Sequence, residues 1–333
     1  MPLIVRCSNG IVTDTYLEII GEALSHLYKS VRYTDKVDDA LKEKKNSIIV
    51  VARTVDAYKL IIRGYKNVVM WCQGIEPEES YMVHRSRFRY FVLSIMEKSV
   101  LKKASFIFFV SKSMQAHYEK KYHMSFKRNR CYCMPCMNTE ICEEAFLYEK
   151  KYEYNTFAYI GSLAVWQQFE ETAKLYKRIE DSGISNCLFK VFTPQRNEAR
   201  EIINKYNIKN YSIDFVENSK LPQVLAGVKY GFIIREDTAV NRVATPTKLS
   251  TYLSCGLIRI YSECLRDFAQ LACNMKYAIK YDENITERVN STGFQKIDTQ
   301  KIYQEYKDIF NTYYSREAHV KKITTLFKRN EAL

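Results

Sequence analysis

The sequence lacks any apolar run long enough to cross a membrane. Its longest run, residues 104–110, has the length of a strand, whereas a membrane-spanning helix needs about 20 apolar residues. Residues 1–6 lead directly into a strand, without the basic segment and apolar core of a signal peptide. We therefore expect a cytoplasmic protein without a membrane-spanning segment.

Three patterns that hold metals or cofactors are also missing. No Asp-x-Asp pair is present, the three-glycine dinucleotide fingerprint is absent, and no Cys-x-x-Cys pair is repeated. Four cysteines, at positions 131, 133, 136 and 142, do lie close in the sequence, but the first two alternate along a predicted strand. Of the two explanations, a zinc site and reduced buried thiols, we favour the thiols and expect no metal.

Acidic residues are the scarce charged class. The chain has 38 Asp and Glu against 51 Lys and Arg, which gives a net charge of +13. Such an excess calls for an anionic partner, and nucleic acid, an anionic membrane surface and phosphorylated substrates all qualify. Because no known RNA-binding or DNA-binding module is present, we expect no nucleic-acid partner.

The charge imbalance is concentrated between residues 84 and 130, where Glu97 and Glu119 are the only acidic residues. A basic helix with an apolar stripe can bind the surface of an anionic leaflet. The same pattern is equally typical of a stripe that faces the core while its basic back is solvated. The sequence leaves both interpretations open. The apolar residues at helical spacing are Phe88, Phe91, Val92 and Ile95.

Strand-like apolar runs alternate with helical patterns along the chain, which is typical of parallel sheets covered by helices. A charged segment, residues 138–154, separates two such series and predicts two domains. The predicted strands are residues 3–7, 47–52, 68–72 and 106–110, then 156–160, 187–193, 212–216, 230–235 and 257–262. The predicted helices include residues 13–29, 55–63, 80–103, 167–181, 197–206 and 297–326.

The stretch 235–256 combines a strand end, a loop and a helix start. An apolar run, residues 230–234, precedes Arg235, and Thr245 followed by Pro246 is typical of a helix N-cap and first helical position. Ligands of parallel sheets bind at the carboxyl ends of strands, and a helix start favours anions. The stretch therefore predicts an anion site.

Two cations in this stretch suit a diphosphate. Arg235 can hold two phosphate oxygens with its planar guanidinium, and Lys248 adds a mobile point charge. The alternative is that Arg235 pairs with Glu236 or Asp237 and that Lys248 is merely solvated.

Three motifs resemble bacterial glycosyltransferases of the GT-B fold. Pro246 and Lys248, followed by Tyr-Leu-Ser-Cys-Gly at 252–256, resemble the nucleotide-sugar site of family-four-type enzymes of surface and capsular polysaccharide assembly. Tyr-Ile-Gly-Ser-Leu at 159–163 is similar to the strand and glycine turn that open their donor domain. Trp-Cys-Gln-Gly at 71–74 stands at the place of their acceptor-side loop.

The resemblance implies an α/β protein with two Rossmann-like domains that face each other across a cleft. It implies an acceptor-side domain at 1–150, a donor-binding domain at 151–300 and a C-terminal helix at 301–333 that crosses back to the first domain. The implied reaction moves a sugar from a nucleotide-diphosphate donor to a glycan or lipid-linked glycan. Retention is favoured over inversion, and neither a cofactor nor a divalent metal is implied.

Residue patterns and resemblance together assign the candidate site. Arg235 and Lys248 stabilise the departing diphosphate. Glu76, beyond the strand at 68–72, is the candidate base, and its alternative role is that of a helix-start carboxylate. The candidate donor-binding residues are Gly161, Ser162, Leu163, Thr193, Glu217, Asn241, Thr245, Pro246, Thr247 and Thr251. The candidate acceptor-side residues are Asn9, Gly10, Gln73, Gly74 and Ser111.

The sequence departs from the family at its two hallmark glutamates, whose positions hold Val243 and Thr251. Thr251 can still hydrogen-bond a ribose hydroxyl but lacks the charge of glutamate. After the glycine turn come Ser162 and then Trp166 and Gln167, where many relatives carry Arg and Lys. These departures motivate an alternative function, a non-catalytic protein that binds nucleotide sugar or glycan beside an active partner.

Overall fold

The chain folds into two units, each built around one parallel sheet. The structure is a computed structural model that describes residues 1–6 and 11–330, with residues 11, 12 and 292 described by their backbone alone. Unit 1 combines Met1–Cys136 with Tyr314–Leu333, and unit 2 is Met137–Tyr313. Each sheet has six strands within the described residues. The α/β class predicted from the alternating pattern is confirmed.

Unit 1 alternates strands with helices. Its strands are β1 (Leu3–Val5), β2 (Arg32–Thr34), β3 (Ile48–Val51), β4 (Asn67–Cys72), β5 (Phe106–Phe109) and β6 (Cys131–Cys133). Its helices are α1 (Ile11–Ser25), α2 (Val37–Ala40), α3 (Thr54–Ile62), α4 (Glu76–His84), α5 (Arg87–Lys103), α6 (Lys112–Tyr122) and, from the end of the chain, α17 (Arg316–Arg329). The strand order is β2-β1-β3-β4-β5-β6, with parallel pairing throughout.

Unit 2 repeats this architecture. Its strands are β7 (Asn155–Ile160), β8 (Cys187–Phe192), β9 (Tyr211–Asp214), β10 (Tyr230–Ile233), β11 (Ile258–Tyr261) and β12 (Ala278–Lys280). Its helices are α7 (Glu143–Phe146), α8 (Phe169–Asp181), α9 (Arg196–Lys205), α10 (Leu221–Leu225), α11 (Ala239–Val243), α12 (Thr247–Ser254), α13 (Arg266–Ala272), α14 (Ile285–Asn290), α15 (Thr292–Gln295) and α16 (Thr299–Thr312). The order is β12-β11-β10-β7-β8-β9, again all parallel.

The central strands are buried along their whole length because helices cover both faces of a parallel sheet. Every residue of β5, β7 and β10 is buried, whereas the edge strand β9 is partly exposed. Aromatic rings fill the centre of unit 2, where Phe157 stacks on Tyr230 at 4.8 Å and on Phe232 at 5.4 Å between ring centroids. Burial on both faces explains why these strands read as continuous apolar runs.

The helix predicted at 80–103 is two helices. Arg85 ends α4 with a left-handed backbone (φ 53°), and Ser86 caps α5 by accepting the N–H of Arg89 at 3.3 Å. The prediction was wrong because the apolar spacing continues across this break, so that periodicity alone does not reveal it.

The helix predicted at 297–326 is also two helices, α16 in unit 2 and α17 in unit 1. Ser315 begins α17 by accepting the N–H of Ala318 at 3.2 Å. Within unit 1, α17 packs on β5, with the ring of Phe327 5.0 Å from that of Phe106. The charged segment 138–154, where the sequence places the crossing between domains, lies inside unit 2.

None of the helices in the described residues has both the length and the apolar composition that a bilayer crossing requires. The cysteines that the structure describes are free thiols. The same residues contain no group of three potential metal ligands arranged to hold an ion.

Candidate functional site

The candidate site lies at the carboxyl edge of the unit 2 sheet, where β7 and β10 end side by side. The two strands pair in parallel, with Tyr230 opposite Phe157. Gly161 directly follows β7, and Arg235 comes two residues after β10. The fold thus brings the glycine turn and Arg235 to one edge of the sheet, which is where parallel sheets bind ligands.

Helix α12 is fixed against these two strands by Tyr252. Its hydroxyl donates to the carbonyl of Ala158 at 3.2 Å and accepts the N–H of Ile160 at 3.2 Å. Its ring lies over Gly231, where an added Cβ would stand 2.6 Å from a ring carbon. Glycine at position 231 therefore lets α12 approach the sheet closely enough for its first turn to reach the strand edge.

Helix α12 begins one residue later than the sequence predicts. Pro246 occupies the N-cap position (φ −60°, ψ 131°), no side chain caps the helix, and Thr247 is its first residue. The expected roles of Thr245 as N-cap and of Pro246 as first helical residue are therefore wrong. Since Pro246 has an extended backbone and no capping oxygen, the start of α12 lacks the side-chain acceptor that most helices have.

Lys248 is buried in the first turn of α12 without a hydrogen-bond partner. The residue is 6% exposed, and its Nζ has no such partner in the described structure. The ammonium lies 4.1 Å from the ring centroid of Tyr159, which is a cation–π contact. Burial lowers the Lys248 pKa well below its usual value, and the neighbouring Arg235 charge lowers it further.

Gly161 makes the room that Lys248 occupies. Its backbone is left-handed (φ 107°), and an added Cβ would stand 3.1 Å from Cε of Lys248. The glycine turn and Lys248 are therefore in contact, although they lie far apart in the sequence.

Arg235 is the second buried cation, with 7% of its surface exposed. One guanidinium nitrogen donates to the carbonyl of Gln167 at 2.9 Å, and the other donates to its side-chain oxygen. Burial lowers the Arg235 pKa to about 10. The alternative in which Arg235 pairs with a neighbouring carboxylate is wrong, because Asp237 binds Arg242 at 2.6 Å and Glu236 accepts from Gln168.

Two cations are thus buried close together, and within the described residues neither has a carboxylate partner. Removing charge from water is costly unless an opposite charge compensates. A bound anion would supply that compensation. Beside Arg235 lies a cavity of about 340 Å³. It is lined by Gln168, Glu171, Ile234, Arg235, Glu236 and Tyr281.

Neither a known protein family nor a curated protein matches the sequence. Solved structures do match the fold. Sucrose-phosphate synthase from Thermosynechococcus elongatus gives a TM-score of 0.71 at 11% identity, over 99% of this chain and 98% of its own. HepE from Anabaena, in complex with UDP and glucose, gives 0.68 at 10% identity, over 98% and 99%.

A further match is a mutant of S. aureus TarM in complex with fondaparinux, alpha-GlcNAc-glycerol and UDP. Its TM-score is 0.61 at 10% identity, over 87% of this chain and 58% of TarM, so this chain spans less than two thirds of TarM's length. The chain has the GT-B fold. The fold predicted from the motifs is therefore confirmed.

In this GT-B chain, the turn after β7 is tied to the end of β8. Gln195 accepts the N–H of Leu163 at 3.3 Å and the hydroxyl of Thr193 at 3.1 Å. The carbonyl of Ser162 accepts the hydroxyl of Tyr159 at 2.6 Å. Gly161, Ser162, Leu163 and Thr193, all predicted donor-side residues, are therefore brought together at the edge that holds the two cations.

Three other predicted donor-side residues lie outside the turn after β7. The amide of Asn241 donates to the carbonyl of Glu236 at 3.0 Å, and the Thr251 hydroxyl donates to the carbonyl of Thr247 at 3.2 Å. Both Asn241 and Thr251 are buried. Glu217 is exposed beyond β9, two strands away from β7, so the structure does not bring it beside the cations.

The predicted acceptor-side residues lie in unit 1. Gln73 and Gly74 follow β4, and Ser111 follows the neighbouring β5, where it caps α6 by accepting the N–H of Met114 at 2.8 Å. Glu76 accepts the N–H of Thr54 at 2.9 Å, so one carboxylate oxygen caps the start of α3. Asn9 and Gly10 lie outside the described residues.

Three residues of the site were not predicted from the sequence. Tyr159 contacts Lys248, Gln167 accepts hydrogen bonds from Arg235, and Gln195 holds the turn after β7. Tyr159 stands inside the Tyr-Ile-Gly-Ser-Leu motif, so the motif could have pointed to it. Gln167 lies in the segment where the sequence departs from the Arg and Lys of the family it resembles, and that departure could have pointed to it. Nothing in the sequence distinguishes Gln195.

A missed carboxylate in unit 1 is Glu79. It lies against Gly74 and accepts the N–H of Ile75 at 3.2 Å. Burial raises the Glu79 pKa to about 7, and the nearby charge of Glu76 acts in the same direction.

Proposed function

We propose that this GT-B protein is a glycosyltransferase that takes a sugar from a nucleotide-diphosphate donor. One observation carries the proposal: Lys248 and Arg235 are buried together at the strand edge of unit 2, without a carboxylate partner in the described residues. The diphosphate of a nucleotide sugar has the charge that such a pair lacks. The carboxyl edge of a parallel sheet is also the usual place for a ligand.

The two cations act on the departing diphosphate. When the bond between the sugar C1 and the diphosphate oxygen breaks, the electron pair leaves with that oxygen. Lys248 and Arg235 stabilise the charge that develops there, and their burial strengthens the interaction because little water screens it. These charges do the work that a divalent metal does in other transferases, and we propose a metal-independent reaction.

For the stereochemistry, we propose retention. Stabilisation of the leaving group on the donor side suits a route in which the acceptor hydroxyl oxygen forms the new bond to C1 on the face from which the diphosphate departs. The proton of that hydroxyl passes to the departing diphosphate oxygen. In the inverting alternative, Glu76 is the base, although one of its oxygens already accepts the N–H of Thr54.

For the acceptor, we propose a glycan or lipid-linked glycan of a bacterial surface polysaccharide, handled at the inner face of the membrane. The motif resemblance at Pro246, Lys248 and residues 252–256 supports this assignment. The ligands of two structural neighbours, UDP and glucose in HepE and fondaparinux with UDP in TarM, support nucleotide-sugar and glycan partners in general.

A second candidate function is a non-catalytic nucleotide-sugar or glycan-binding partner of an active enzyme. Val243 and Thr251 stand at the positions of the family's glutamates, and the Thr251 hydroxyl is already bonded to the carbonyl of Thr247. Such a protein would keep the diphosphate site and lack turnover.

A binding and turnover experiment separates these functions. Nucleoside diphosphates and their sugars are screened by thermal shift, because a ligand of the native state raises its melting temperature. The ligands that bind are then tested for sugar transfer and for hydrolysis. Binding with turnover supports the transferase, whereas binding without either reaction supports the non-catalytic partner. Absence of any shift would refute both.

The matched variants are Arg235→Ala and Arg242→Ala. Both remove an arginine from the segment that follows β10, but Arg242 lies in α11, is partly exposed and binds Asp237 at 2.6 Å. We expect Arg235→Ala to abolish transfer while the far-ultraviolet circular dichroism stays native, and Arg242→Ala to keep transfer. Unchanged turnover in Arg235→Ala would exclude its role.

A further inference from the structure

Helix α5 carries an apolar stripe that faces solvent. Phe88 is 79% exposed and Phe91 is 62% exposed, and Val92 and Ile95 are also exposed. Their spacing of three, four and seven residues places them on one side of the helix. The interpretation in which this stripe faces the core is therefore wrong.

The inner face of α5 is formed by other residues. Val100 and Leu101 are buried, and so is Glu97, which binds Lys121 at 3.0 Å and accepts the hydroxyl of Tyr122. At about 100° per residue, Glu97 lies opposite Phe88 around the helix. These residues form the buried side of α5, so the exposed stripe on its other side is not part of the core of unit 1.

The exposed charge of the segment 81–103 has one sign. Between residues 81 and 103 the sole acidic residue is Glu97, which is buried. Every exposed side chain in that segment is apolar, basic or histidine. The exposed basic residues are Arg85, Arg87, Arg89, Lys98, Lys102 and Lys103.

We infer that this face, which we call the α5 face (Val83, Arg85, and the exposed residues of α5), binds the surface of an anionic lipid bilayer. Helices that lie in the plane of a bilayer surface insert large apolar side chains between headgroups while basic side chains contact anionic lipids. Phe88 and Phe91 are the inserting residues, and Arg87 and Arg89 flank them.

The charge of the α5 face favours a bilayer over a second copy of the chain. Two copies that paired through this face would bring their arginines and lysines together, and like charges at close range repel. An anionic leaflet instead presents negative charge over its whole surface, so it can contact all the basic side chains of the α5 face. The inference goes beyond the proposed transferase, because it involves neither Lys248 nor Arg235.

The test is co-sedimentation of the full chain with vesicles. We expect binding to vesicles of phosphatidylcholine mixed with phosphatidylglycerol, little binding to phosphatidylcholine alone, and weaker binding at high salt. Phe88→Ser combined with Phe91→Ser should lower the vesicle affinity by about tenfold or more. Arg87→Gln combined with Arg89→Gln should lower it by about fivefold for each charge.

Matched controls come from exposed positions elsewhere. Phe215→Ser removes an exposed phenylalanine of unit 2, and Lys44→Gln with Lys66→Gln removes two exposed charges of unit 1. These variants should bind vesicles like the unaltered chain. Equal binding by the Phe88 and Phe91 variant, or no binding by the unaltered chain, would overturn the inference.

Two further readouts keep the outcomes distinct. A dimer in sedimentation that the Phe88 and Phe91 variant converts to monomer would assign the α5 face to a second copy and overturn the inference. The thermal shift with nucleoside diphosphates should be the same in the unaltered chain and this variant. Vesicle binding without any nucleotide shift would support the α5 face while refuting the transferase.

Discussion

The buried ammonium of Lys248 lowers the free energy of unfolding of the ligand-free protein. Its ammonium is buried beside Arg235, it rests on the ring of Tyr159, and it has no hydrogen-bond partner in the described structure. A residue that served the fold alone would be better replaced by an apolar one of similar length. Retaining a charge in this position is typical of sites that bind an opposite charge.

Replacing Lys248 by methionine should stabilise the ligand-free protein and abolish diphosphate binding. Met keeps most of the side-chain volume and removes the buried charge, so we expect a gain of roughly 1–2 kcal/mol in the free energy of unfolding. Thermal unfolding with and without UDP measures both effects.

The control for this variant is Lys229→Met. Lys229 is likewise buried with no hydrogen-bond partner for its Nζ, and burial lowers its pKa to about 8, but it lies before β10, at the opposite end of that strand from Arg235. Lys229→Met should also raise the melting temperature, yet it should keep the shift caused by UDP. Loss of that shift in both variants would mean that the effect is not specific to the site.

Nucleotide binding should be accompanied by proton uptake at Lys248. Burial and Arg235 lower its pKa in the free protein, and a bound diphosphate raises it. Between these two pKa values, binding takes up a proton, and affinity falls as pH rises through the pKa of the bound state. Any protons that the nucleotide phosphate releases on binding reduce the net proton uptake, because release has the opposite sign to uptake at Lys248. Calorimetry in buffers of different ionisation enthalpy measures the net uptake.

Lys248→Arg is the control for the proton count, because arginine stays charged in both states. If this variant binds UDP, its binding heat should show less dependence on the buffer. The same dependence in both proteins would assign the proton to another group.

At the scale of the element, α12 owes its position to the contact of Tyr252 with Gly231. Gly231→Ala should destabilise the protein by about 1–3 kcal/mol, because the new Cβ would stand 2.6 Å from the ring. The displaced helix should also weaken UDP binding. Gly293→Ala, where nothing lies within 4 Å of the added atom, should change neither property. Denaturant unfolding and UDP titration of both variants check this.

The sequence predicted the presence of these strands and helices more accurately than the residues at which they begin and end. Residues 230–235 and 245–256 were expected to form a strand and a helix, and the structure has β10 at Tyr230–Ile233 and α12 at Thr247–Ser254. Arg235 and Lys248 lie near each other, and the anion site between them stays a prediction. The helix start differed by one residue because Pro246 fits both the N-cap and the first helical position. The breaks at Arg85 and Ser315 were missed because neither involves proline or glycine.

Other parts of the site could not be predicted because they depend on tertiary contacts. Gln167 meets Arg235 across 68 residues of sequence, and Tyr252 reaches Ile160 across 92. The exposed stripe of α5 is a similar case. Its period shows which residues share a side, whereas the choice of the side that packs inward depends on Val100, Leu101 and the buried Glu97.

At the scale of the whole molecule, unit 1 is assembled from two separate parts of the chain, whereas unit 2 is continuous. In unit 1, α17 buries Ile323 and Phe327, and its His319 hydrogen-bonds Tyr132 at 2.7 Å. Losing each large apolar contact costs about 2–5 kcal/mol. The last helix is therefore part of the core of unit 1.

Deleting residues 314–333 should unfold unit 1 and leave unit 2 folded. We expect calorimetry of the truncated chain to lose one unfolding transition while the other remains and still shifts with UDP, because Lys248 and Arg235 belong to unit 2. Removing residues 331–333 alone is the control and should keep both transitions. Loss of the UDP shift after truncation would contradict the placement of the site within unit 2.

The return of α17 to unit 1 also sets an order of events on the ribosome. Domains commonly fold as they emerge, starting from the amino terminus. Here β1 to β6 are synthesised early but must wait for Phe327 and its neighbours, while the whole of unit 2 appears in between. A nascent chain thus exposes the aromatic surface of β5 until α17 has been synthesised, and chaperones that bind apolar segments can act on that surface throughout the synthesis of unit 2.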